Sequence, residues 1–141
     1  MPQYRCKYFN IRELVPEELY NRYKDWCWNL FDDRALITID RLRYAYGSII
    51  INDWLWGGKN HFRGFRPPYC DVGAEYSQHR YGRAFDCIFT KTTAQAVRDD
   101  LINNGGHCFE FVTAIEDGVD WFHFDVRNCS RLLRFKPQVR V

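Results

Sequence analysis

Two short stretches constrain what this chain can fold into more than any other feature of the sequence. Residues 77–86 read SQHRYGRAFD, and residues 121–125 read WFHFD. Together they offer two imidazoles and a carboxylate, from His79, Asp86 and His123. Two histidines and one acid form the ligand set of a catalytic zinc site, which leaves a further position open. The fold must therefore bring two distant stretches to one place.

The spacing within the first stretch predicts a loop that runs into a strand. His79 and Asp86 lie seven residues apart, which is too far for one helical turn. Gly82, between them, supplies the conformational freedom that such a turn requires. His123 and Asp125 fall on the same face of a strand, so Asp125 either orients an imidazole or bonds to the backbone.

The first third of the chain carries helical signals. Residues 1–10 predict an extended arm, and Pro16 with the acids that follow it predicts the start of a helix. Apolar residues at helical spacing predict a core-facing stripe on this helix, formed by Leu19, Tyr23, Trp26 and Leu30. A second helix is expected to end at Gly47, with its apolar positions at Leu36, Ile39, Leu42 and Tyr46.

The remainder of the chain predicts strands interrupted by one helix. Strand signals cover residues 48–54, 85–89, 108–115 and 121–126. Thr92 or Thr93 caps a helix that residues 104–106 end. The turn at 116–118 predicts that the last two strands form a hairpin. This order of elements favours an α+β fold, with N-terminal helices, a central mostly antiparallel sheet and one helix between the strands.

Residues 56–70 are expected to form a long loop, because they hold three glycines and two prolines. The same residues carry His61, Arg63 and Arg66 among aromatic side chains. Long loops that hold charged and aromatic residues often line functional sites. We predict no role in the site for the two other histidines. His61 is interpreted as a surface residue and His107 as a structural one.

Composition narrows the class of protein. A chain of 141 residues, 46% of them hydrophobic, predicts a single domain over residues 1–141 and excludes a disordered chain. A net charge of +2 gives no reason to expect a nucleic-acid partner, and the longest aliphatic run, three isoleucines, predicts no membrane span. The C-terminal tail is basic and is expected to be solvated or drawn to an anionic surface; its cations are Arg127, Arg131, Arg134, Lys136 and Arg140.

The first stretch resembles the S-x-H-x-x-G-x-A-x-D signature of the zinc D-alanyl-D-alanine peptidases. The second stretch is similar to the W-x-H-x-D segment of that family, and RGFRPP at residues 63–68 is similar to its S-G-[YF]-R-[ST] segment. The family includes D,D- and L,D-carboxypeptidases, vancomycin-resistance dipeptidases and phage L-alanyl-D-glutamate endopeptidases, and the hedgehog signalling domain shares its fold. The resemblance covers residues 48–127, and the helices before them look like those of small phage-encoded members.

Carried over position by position, the resemblance implies a role for five residues. His79, Asp86 and His123 match the residues that bind Zn²⁺ in the family. Arg66 matches the arginine that holds the substrate or stabilises a developing oxyanion, as a fixed positive donor does. Ser77 matches the signature serine, whose hydroxyl binds substrate or orients a ligand.

The general base is the position where the sequence departs from the family. The family places a glutamate three residues before the last zinc histidine, and here that position holds Asp120, which is one methylene shorter. Glu116 is the other candidate, at the end of the preceding strand, and we favour it over Asp120. A general base must lie within about 2.6–3.2 Å of the proton that it removes, which the sequence cannot measure.

The resemblance implies a monomeric zinc metallopeptidase that cleaves the peptidoglycan stem peptide, as a D,D-carboxypeptidase or a phage endolysin-like L-alanyl-D-glutamate endopeptidase. The alternative is a catalytically silent zinc-binding virion or recognition module of the same fold, and hydrolysis of another peptide or amide also stays open. With no signal peptide and six scattered cysteines, we expect free thiols. The expected location is the cytoplasm of the producing cell or a virion, with access to the cell wall on lysis or infection.

Overall fold

The computed structural model describes residues 3–74 and 76–137. Its helices are α1 (Glu17–Tyr23), α2 (Asp33–Tyr46) and α3 (Ala94–Asn103). Its strands are β1 (Ile49–Ile50), β2 (Ala84–Phe89), β3 (Ala114–Glu116), β4 (Phe122–Asp125) and β5 (Leu133–Phe135). Short 3-10 helices cover Ile11–Glu13, Lys24–Leu30, Trp54–Trp56, Gln78–Tyr81 and His107–Phe109. The first two residues of the expected arm and Arg140 of the basic tail lie outside the described residues.

The strands form a five-stranded sheet in the order β1-β2-β4-β3-β5. Neighbouring strands are antiparallel except for β5, which runs parallel to β3. The predicted α+β class and mostly antiparallel sheet are therefore confirmed, and so is the antiparallel pairing of β3 with β4. The sequence does not predict β5: its side chains are largely exposed, as expected for the tail, yet its backbone pairs with β3.

Local capping signals explain why α2 and α3 form where the sequence predicts them. The Asp32 carboxylate accepts a hydrogen bond from the backbone N–H of Arg34 at 2.9 Å, and α2 ends at Gly47. The hydroxyl of Thr93 accepts one from the backbone N–H of Ala96 at 3.0 Å and so begins α3. Each cap satisfies a backbone group that the first turn of a helix leaves without an internal partner.

The hydrophobic core lies between α2 and the sheet. The predicted positions Leu36, Ile39 and Leu42 of α2 are fully buried, and α2 packs against β2. Phe31, just before α2, stacks on Phe85 of β2 with ring centroids 5.3 Å apart. Burying one such side chain contributes about 1.5–3 kcal/mol. This packing holds β2, and with it the centre of the sheet, in a fixed position.

Of the apolar stripe predicted for the first helix, Leu19 and Leu30 pack against the core, whereas Tyr23 and Trp26 are exposed. The helix α1 ends at Tyr23, because Lys24 adopts a left-handed backbone conformation with φ of 49°. The chain continues as a 3-10 helix with about three residues per turn, which changes the side that each residue faces. Trp26 is consequently 57% exposed, whereas Cys27 and Trp28 are buried instead.

Two predicted strands are shorter than the sequence suggests. The strand expected over 48–54 is confined to Ile49–Ile50. The strand expected over 108–115 begins only at Ala114, because the residues before it wrap around α2. There Phe109 lies against Tyr46, and Arg41 donates hydrogen bonds to the His107 carbonyl and the Glu110 carboxylate. These contacts with a helix replace the strand pairing that the alternating side chains predict.

The N-terminal arm packs along α2. The buried Asp40 of α2 accepts hydrogen bonds from the backbone N–H groups of Lys7 and Tyr8, at 2.7 and 3.1 Å, which ties the arm to the helix. The six cysteines are free thiols, as predicted. Within residues 3–74 and 76–137, no helix is both long enough and apolar enough to cross a membrane.

Candidate metal centre

The sheet and the turn before it bring the three predicted ligands together. Asp86 on β2 pairs directly with His123 on β4, so their side chains lie on the same face of the sheet. His79 lies in the 3-10 helix that precedes β2. This helix ends at Gly82, whose φ of 66° is left-handed, and the chain then enters β2 at Ala84. The predicted loop that runs into a strand is therefore confirmed.

The three side chains offer donor atoms to one point. His79 Nε2 lies 3.2 Å from Asp86 Oδ1, and His123 Nδ1 lies 2.8 Å from the same oxygen. One ligand atom from each residue falls within 4.8 Å of the other two, and all three residues are buried. Donor atoms around a tetrahedral zinc ion lie about 3.4 Å from one another, given bonds of about 2.0–2.2 Å. The spacing and the chemistry of this donor set fit a metal ion.

Hydrogen bonds behind the two imidazoles select which nitrogen faces that point. His79 Nδ1 lies 2.9 Å from the carbonyl oxygen of Gly64, which can only accept, so Nδ1 carries the hydrogen and Nε2 has the free lone pair. His123 Nε2 lies 2.9 Å from Asp125 Oδ2, which leaves Nδ1 toward Asp86. Metal-binding histidines usually have such a partner on the far nitrogen. The predicted role of Asp125 in orienting an imidazole agrees with this geometry.

Asp125 is itself held by Arg127. The carboxylate is fully buried and receives two hydrogen bonds of 2.6 Å from the Arg127 guanidinium. Burial alone would raise the pKa of Asp125, but the hydrogen bonds from Arg127 and His123 outweigh it and lower the pKa to about 2. Asp125 is therefore a permanent anion behind His123. The basic-tail interpretation of Arg127 is thus incomplete, because this residue supports the site.

The carboxylates around His123 favour the positively charged form of its imidazole. Burial disfavours an imidazolium, but the carboxylates of Asp125 and Asp86 outweigh it and raise the pKa of His123 to about 9. Burial likewise opposes charge on Asp86, yet His79 and His123 keep its pKa well below the ordinary value. A metal ion between the three side chains would bind the lone pair of His123 Nδ1. A proton on Nδ1 occupies the same lone pair, so metal binding displaces that proton.

Arg66 is the one cation of the predicted loop that reaches the centre. Its Nη2 lies 3.2 Å from Asp86 Oδ2, its Nε donates to the Phe62 carbonyl at 2.8 Å, and its Nη1 lies 3.4 Å from Ser77 Oγ. Its backbone N–H also donates to the carbonyl of His79 at 3.1 Å. A guanidinium has five N–H groups, so Arg66 keeps donors for a ligand while its position is fixed.

The ligands line a cavity of about 560 Å³ that also holds other predicted residues. Its wall includes Arg66, Ser77, Gln78, Glu116, Trp121, Arg127, Phe135 and Lys136. Of the two candidate bases, only Glu116 lines this cavity. Asp120 lies on an exposed turn and lines a second cavity, beside the first turn of α3.

The strand register explains why Glu116, rather than Asp120, faces the ligands. Ile115 pairs with Phe124, so the next step of the antiparallel ladder sets Glu116 opposite His123 and on the same face. Asp120 lies three residues before His123 and outside β4, so the pairing of β4 with its neighbours does not place it on the face of the ligands. Burial raises the pKa of Glu116, which Trp121 partly opposes by donating its indole N–H to Glu116 Oε1 at 3.2 Å.

The C-terminal strand β5 forms a wall of the cavity that no pattern in the sequence predicts. Phe135 of β5 pairs in register with Glu116, and its ring meets the His123 imidazole edge-on with centroids 5.3 Å apart. The Arg127 guanidinium lies over the same Phe135 ring at 5.3 Å. Of the other expectations, His61 stacks on Trp54, and His107 is exposed at the start of the 3-10 helix His107–Phe109.

Comparisons of this chain with protein-family models, with curated proteins and with solved structures find no match. Membership of the D-alanyl-D-alanine peptidase family therefore stays a prediction from the sequence motifs.

Proposed function

We propose that this protein is a zinc-dependent peptidase that cleaves a peptide bond in the stem peptide of peptidoglycan, on the fold of the D-alanyl-D-alanine peptidases. One observation carries the proposal. Asp86, His123 and Glu116 lie in successive strands on one face of the sheet, with His79 beside them, so that three donors and one further carboxylate share a cavity. Three ligands with an open side and a nearby carboxylate are the parts that metal-assisted hydrolysis needs.

The residues present fit zinc. His79, Asp86 and His123 would hold the ion, since two imidazole nitrogens and one carboxylate oxygen are ligands that zinc accepts. When bound, zinc supplies an acidified water and a positive charge beside the carbonyl oxygen of the substrate. Asp125 keeps the His123 ring in the orientation and tautomer that binding requires.

Glu116 acts as the general base in this proposal. Its carboxylate faces the cavity, and burial raises its pKa toward the range in which it can both take and return a proton. It removes a proton from the attacking water and delivers it to the nitrogen of the leaving amine. Trp121 holds one Glu116 oxygen in place through the indole N–H.

Arg66 stabilises charge on the substrate. The carbonyl oxygen becomes negative as the peptide bond is attacked, and a fixed donor close to it lowers the barrier. The bonds of Arg66 to Phe62, Ser77 and Asp86 hold its guanidinium rigid, so it does not need to reorganise during the reaction. The stem peptide is proposed as the substrate because the motifs that carry the ligands and Arg66 resemble those of peptidases that act on it.

A second candidate function is a zinc-binding module without turnover. The observation that favours it is the position of Asp120, because the residue at the family's usual base position lines a different cavity from the one that holds the ligands. If Glu116 does not replace it, the protein binds metal and peptide but does not cleave.

Metal analysis combined with digestion of purified peptidoglycan distinguishes the peptidase from the zinc-binding module without turnover. We expect one zinc per chain and stem-peptide fragments identified by mass spectrometry. In His79→Ala the zinc should be lost, whereas His107→Ala, which removes an exposed histidine, should keep it. Stoichiometric zinc without released fragments would refute the peptidase and favour the module. Retention of stoichiometric zinc in His79→Ala would refute the ligand assignment.

A further inference from the structure

One side of the cavity is formed by a segment that has no regular secondary structure. Gly73 and Ala74 line the cavity that holds the ligands. Both belong to residues 68–74, which we call the 68–74 segment and which contain no helix or strand. Outside helices and sheets, backbone groups need other partners, and those partners decide where a segment lies. The contacts of the 68–74 segment therefore determine the shape of this side of the cavity.

Arg80 ties the 68–74 segment to the turn that carries the ligand His79. Its guanidinium donates to the carbonyl oxygen of Cys70 at 2.6 Å and to those of Pro68 and Ala74 at 3.3 Å each. A guanidinium has five N–H groups in a rigid planar fork, so one side chain can hold several carbonyls at once. Since Arg80 directly follows His79 in the 3-10 helix, the segment and the ligand are held to one another.

The 68–74 segment approaches the side chain of Arg66 at Gly73. The φ of Gly73 is 81°, and an added Cβ would lie 2.5 Å from Arg66 Nη1. Carbon and nitrogen atoms that are not bonded to each other do not pack so closely, so a side chain at Gly73 would push the guanidinium aside. The backbone can lie against the guanidinium only because this residue has no side chain.

The contact with Gly73 falls on the nitrogen of Arg66 that hydrogen bonds hold least. Nε donates to the Phe62 carbonyl at 2.8 Å, and Nη2 donates to Asp86 Oδ2 at 3.2 Å. Within residues 3–74 and 76–137, the one polar contact of Nη1 is the longer one to Ser77 Oγ, at 3.4 Å. Packing against Gly73 therefore supplies a restraint that the hydrogen bonds of Arg66 do not.

We propose that Gly73 and Arg80 are positioning residues for Arg66, an inference that rests on the peptidase function proposed above. Arg80 holds the 68–74 segment, and the backbone at Gly73 then confines the Arg66 guanidinium. A donor that is already fixed stabilises a developing oxyanion better than a mobile donor, because it does not reorganise during the reaction. The effect of both residues on turnover therefore passes through Arg66.

Gly73→Ala tests the contact, and Gly57→Ala is its matched control. Gly57 has a φ of 87°, but an added Cβ there would meet no atom within 4 Å. Both variants place an alanine in a left-handed conformation, so their unfolding midpoints should fall by similar amounts. Only Gly73→Ala should also displace the guanidinium of Arg66.

Two measurements follow the guanidinium and its effect. The nitrogen NMR signal of the Arg66 Nε–H group, identified by its loss in Arg66→Lys, should shift in Gly73→Ala and stay in place in Gly57→Ala. With zinc-loaded proteins and wall fragments as substrate, kcat should be about 10- to 100-fold lower in Gly73→Ala, because a small misplacement of a catalytic group has an effect of this size. The KM and the zinc content should be unchanged.

A double substitution shows whether the effect passes through Arg66. Lysine has no Nη1, so in the Arg66→Lys background Gly73→Ala should lower kcat no further.

Arg80→Gln tests the hold on the 68–74 segment and should lower kcat about 10-fold with zinc retained. Its control is Arg83→Gln, since the side chain of Arg83 is 43% exposed and lies 4.0 Å from Asp32 Oδ2. This control should turn over like the wild-type chain.

Several results would overturn the inference. An unchanged Arg66 signal in Gly73→Ala, or an unchanged kcat, would show that the contact does not position a catalytic group. An equal further loss of kcat in the Arg66→Lys background would show that Gly73 acts elsewhere. Loss of zinc, or a midpoint far below that of Gly57→Ala, would assign Gly73 to the fold. Wild-type activity in Arg80→Gln would remove Arg80 from the proposal.

Failure of the peptidase function gives a different result. A wild-type chain that releases no fragments refutes that function and, with it, the effect of Gly73 and Arg80 on turnover. The NMR comparison of Gly73→Ala with Gly57→Ala does not depend on turnover, so it still decides whether Gly73 positions Arg66.

Discussion

Asp86 and His123 face each other across neighbouring strands, with Asp86 Oδ1 2.8 Å from His123 Nδ1. The same row of the sheet continues through Glu116 on β3 to Phe135 on β5, which pairs with Glu116. Four strands thus contribute one side chain each to a single line across one face. A slip of one residue in any of these pairings would turn that side chain to the opposite face. The sheet register therefore assembles the centre.

The proposed base gives the first prediction. Glu116→Gln should lower kcat/KM for wall fragments by about 10²–10⁴-fold, the usual contribution of general acid–base catalysis, and should leave the zinc content unchanged. Asp120→Asn is the matched control, since Asp120 lines a different cavity, and it should retain activity. Full activity in Glu116→Gln, or loss of activity only in Asp120→Asn, would show that Glu116 is not the base.

The pKa of Glu116 gives the second prediction. Burial raises this pKa, and a base must be ionised, so activity should fall with decreasing pH through a value above that of an ordinary glutamate. Trp121→Phe removes the hydrogen bond that favours the ionised form, so the acid limb of the kcat/KM profile should move to higher pH. Trp54→Phe, which removes an indole donor to the Val15 carbonyl, should leave the limb in place. A limb at unchanged or lower pH in Trp121→Phe contradicts the assignment.

The sequence predicts the parts of this protein that depend on local signals. The caps at Asp32 and Thr93 and the stop at Gly47 lie within a turn of the helices that they define, so α2 and α3 follow from short stretches. The break at Lys24 has no such signal, because a left-handed lysine is set by its surroundings.

The proposed metal ligands are predictable from the sequence for a related reason, and the walls of the cavity are not. His79 and Asp86 occupy one ten-residue stretch, and the turn between them has its own glycine. Phe135 and Arg127 reach the centre only because β5 pairs with β3 and because Arg127 folds back onto Asp125. Neither contact leaves a pattern in the residues next to it.

The support behind His123 gives the third prediction. Arg127→Ala removes both donors from the buried Asp125, so the carboxylate no longer holds the imidazole as firmly, and zinc affinity should fall about 10- to 100-fold. Arg134→Ala is the control, because Arg134 is an exposed cation of the same tail and pairs with Asp117 instead of Asp125. Competition with a chelator measures both. Equal zinc affinity in Arg127→Ala and the wild-type chain would show that this support does not act on the metal.

The turn between His79 and Asp86 gives the fourth prediction. At Gly82, φ is 66°, and an added Cβ would lie 1.9 Å from the carbonyl oxygen of Leu30. The backbone cannot yield easily, because the Gly82 carbonyl accepts a hydrogen bond from the N–H of Asp32 at 2.9 Å, which ties the turn to the start of α2. Gly82→Ala should therefore lower the free energy of unfolding by about 3 kcal/mol or more.

Gly105 provides the matched control for that substitution. Its φ is also 66°, but an added Cβ would meet no atom within 4 Å. Gly105→Ala should cost only the left-handed conformation of an alanine, about 1–2 kcal/mol, and should leave zinc binding intact. Urea unfolding gives the two free energies, and metal analysis of the folded proteins gives the zinc content. Because the Gly82 turn sets the distance from His79 to Asp86, Gly82→Ala should also lose zinc. Equal losses of unfolding free energy and equal zinc contents in the two variants would show that the close contact with Leu30 does not hold the ligands in place.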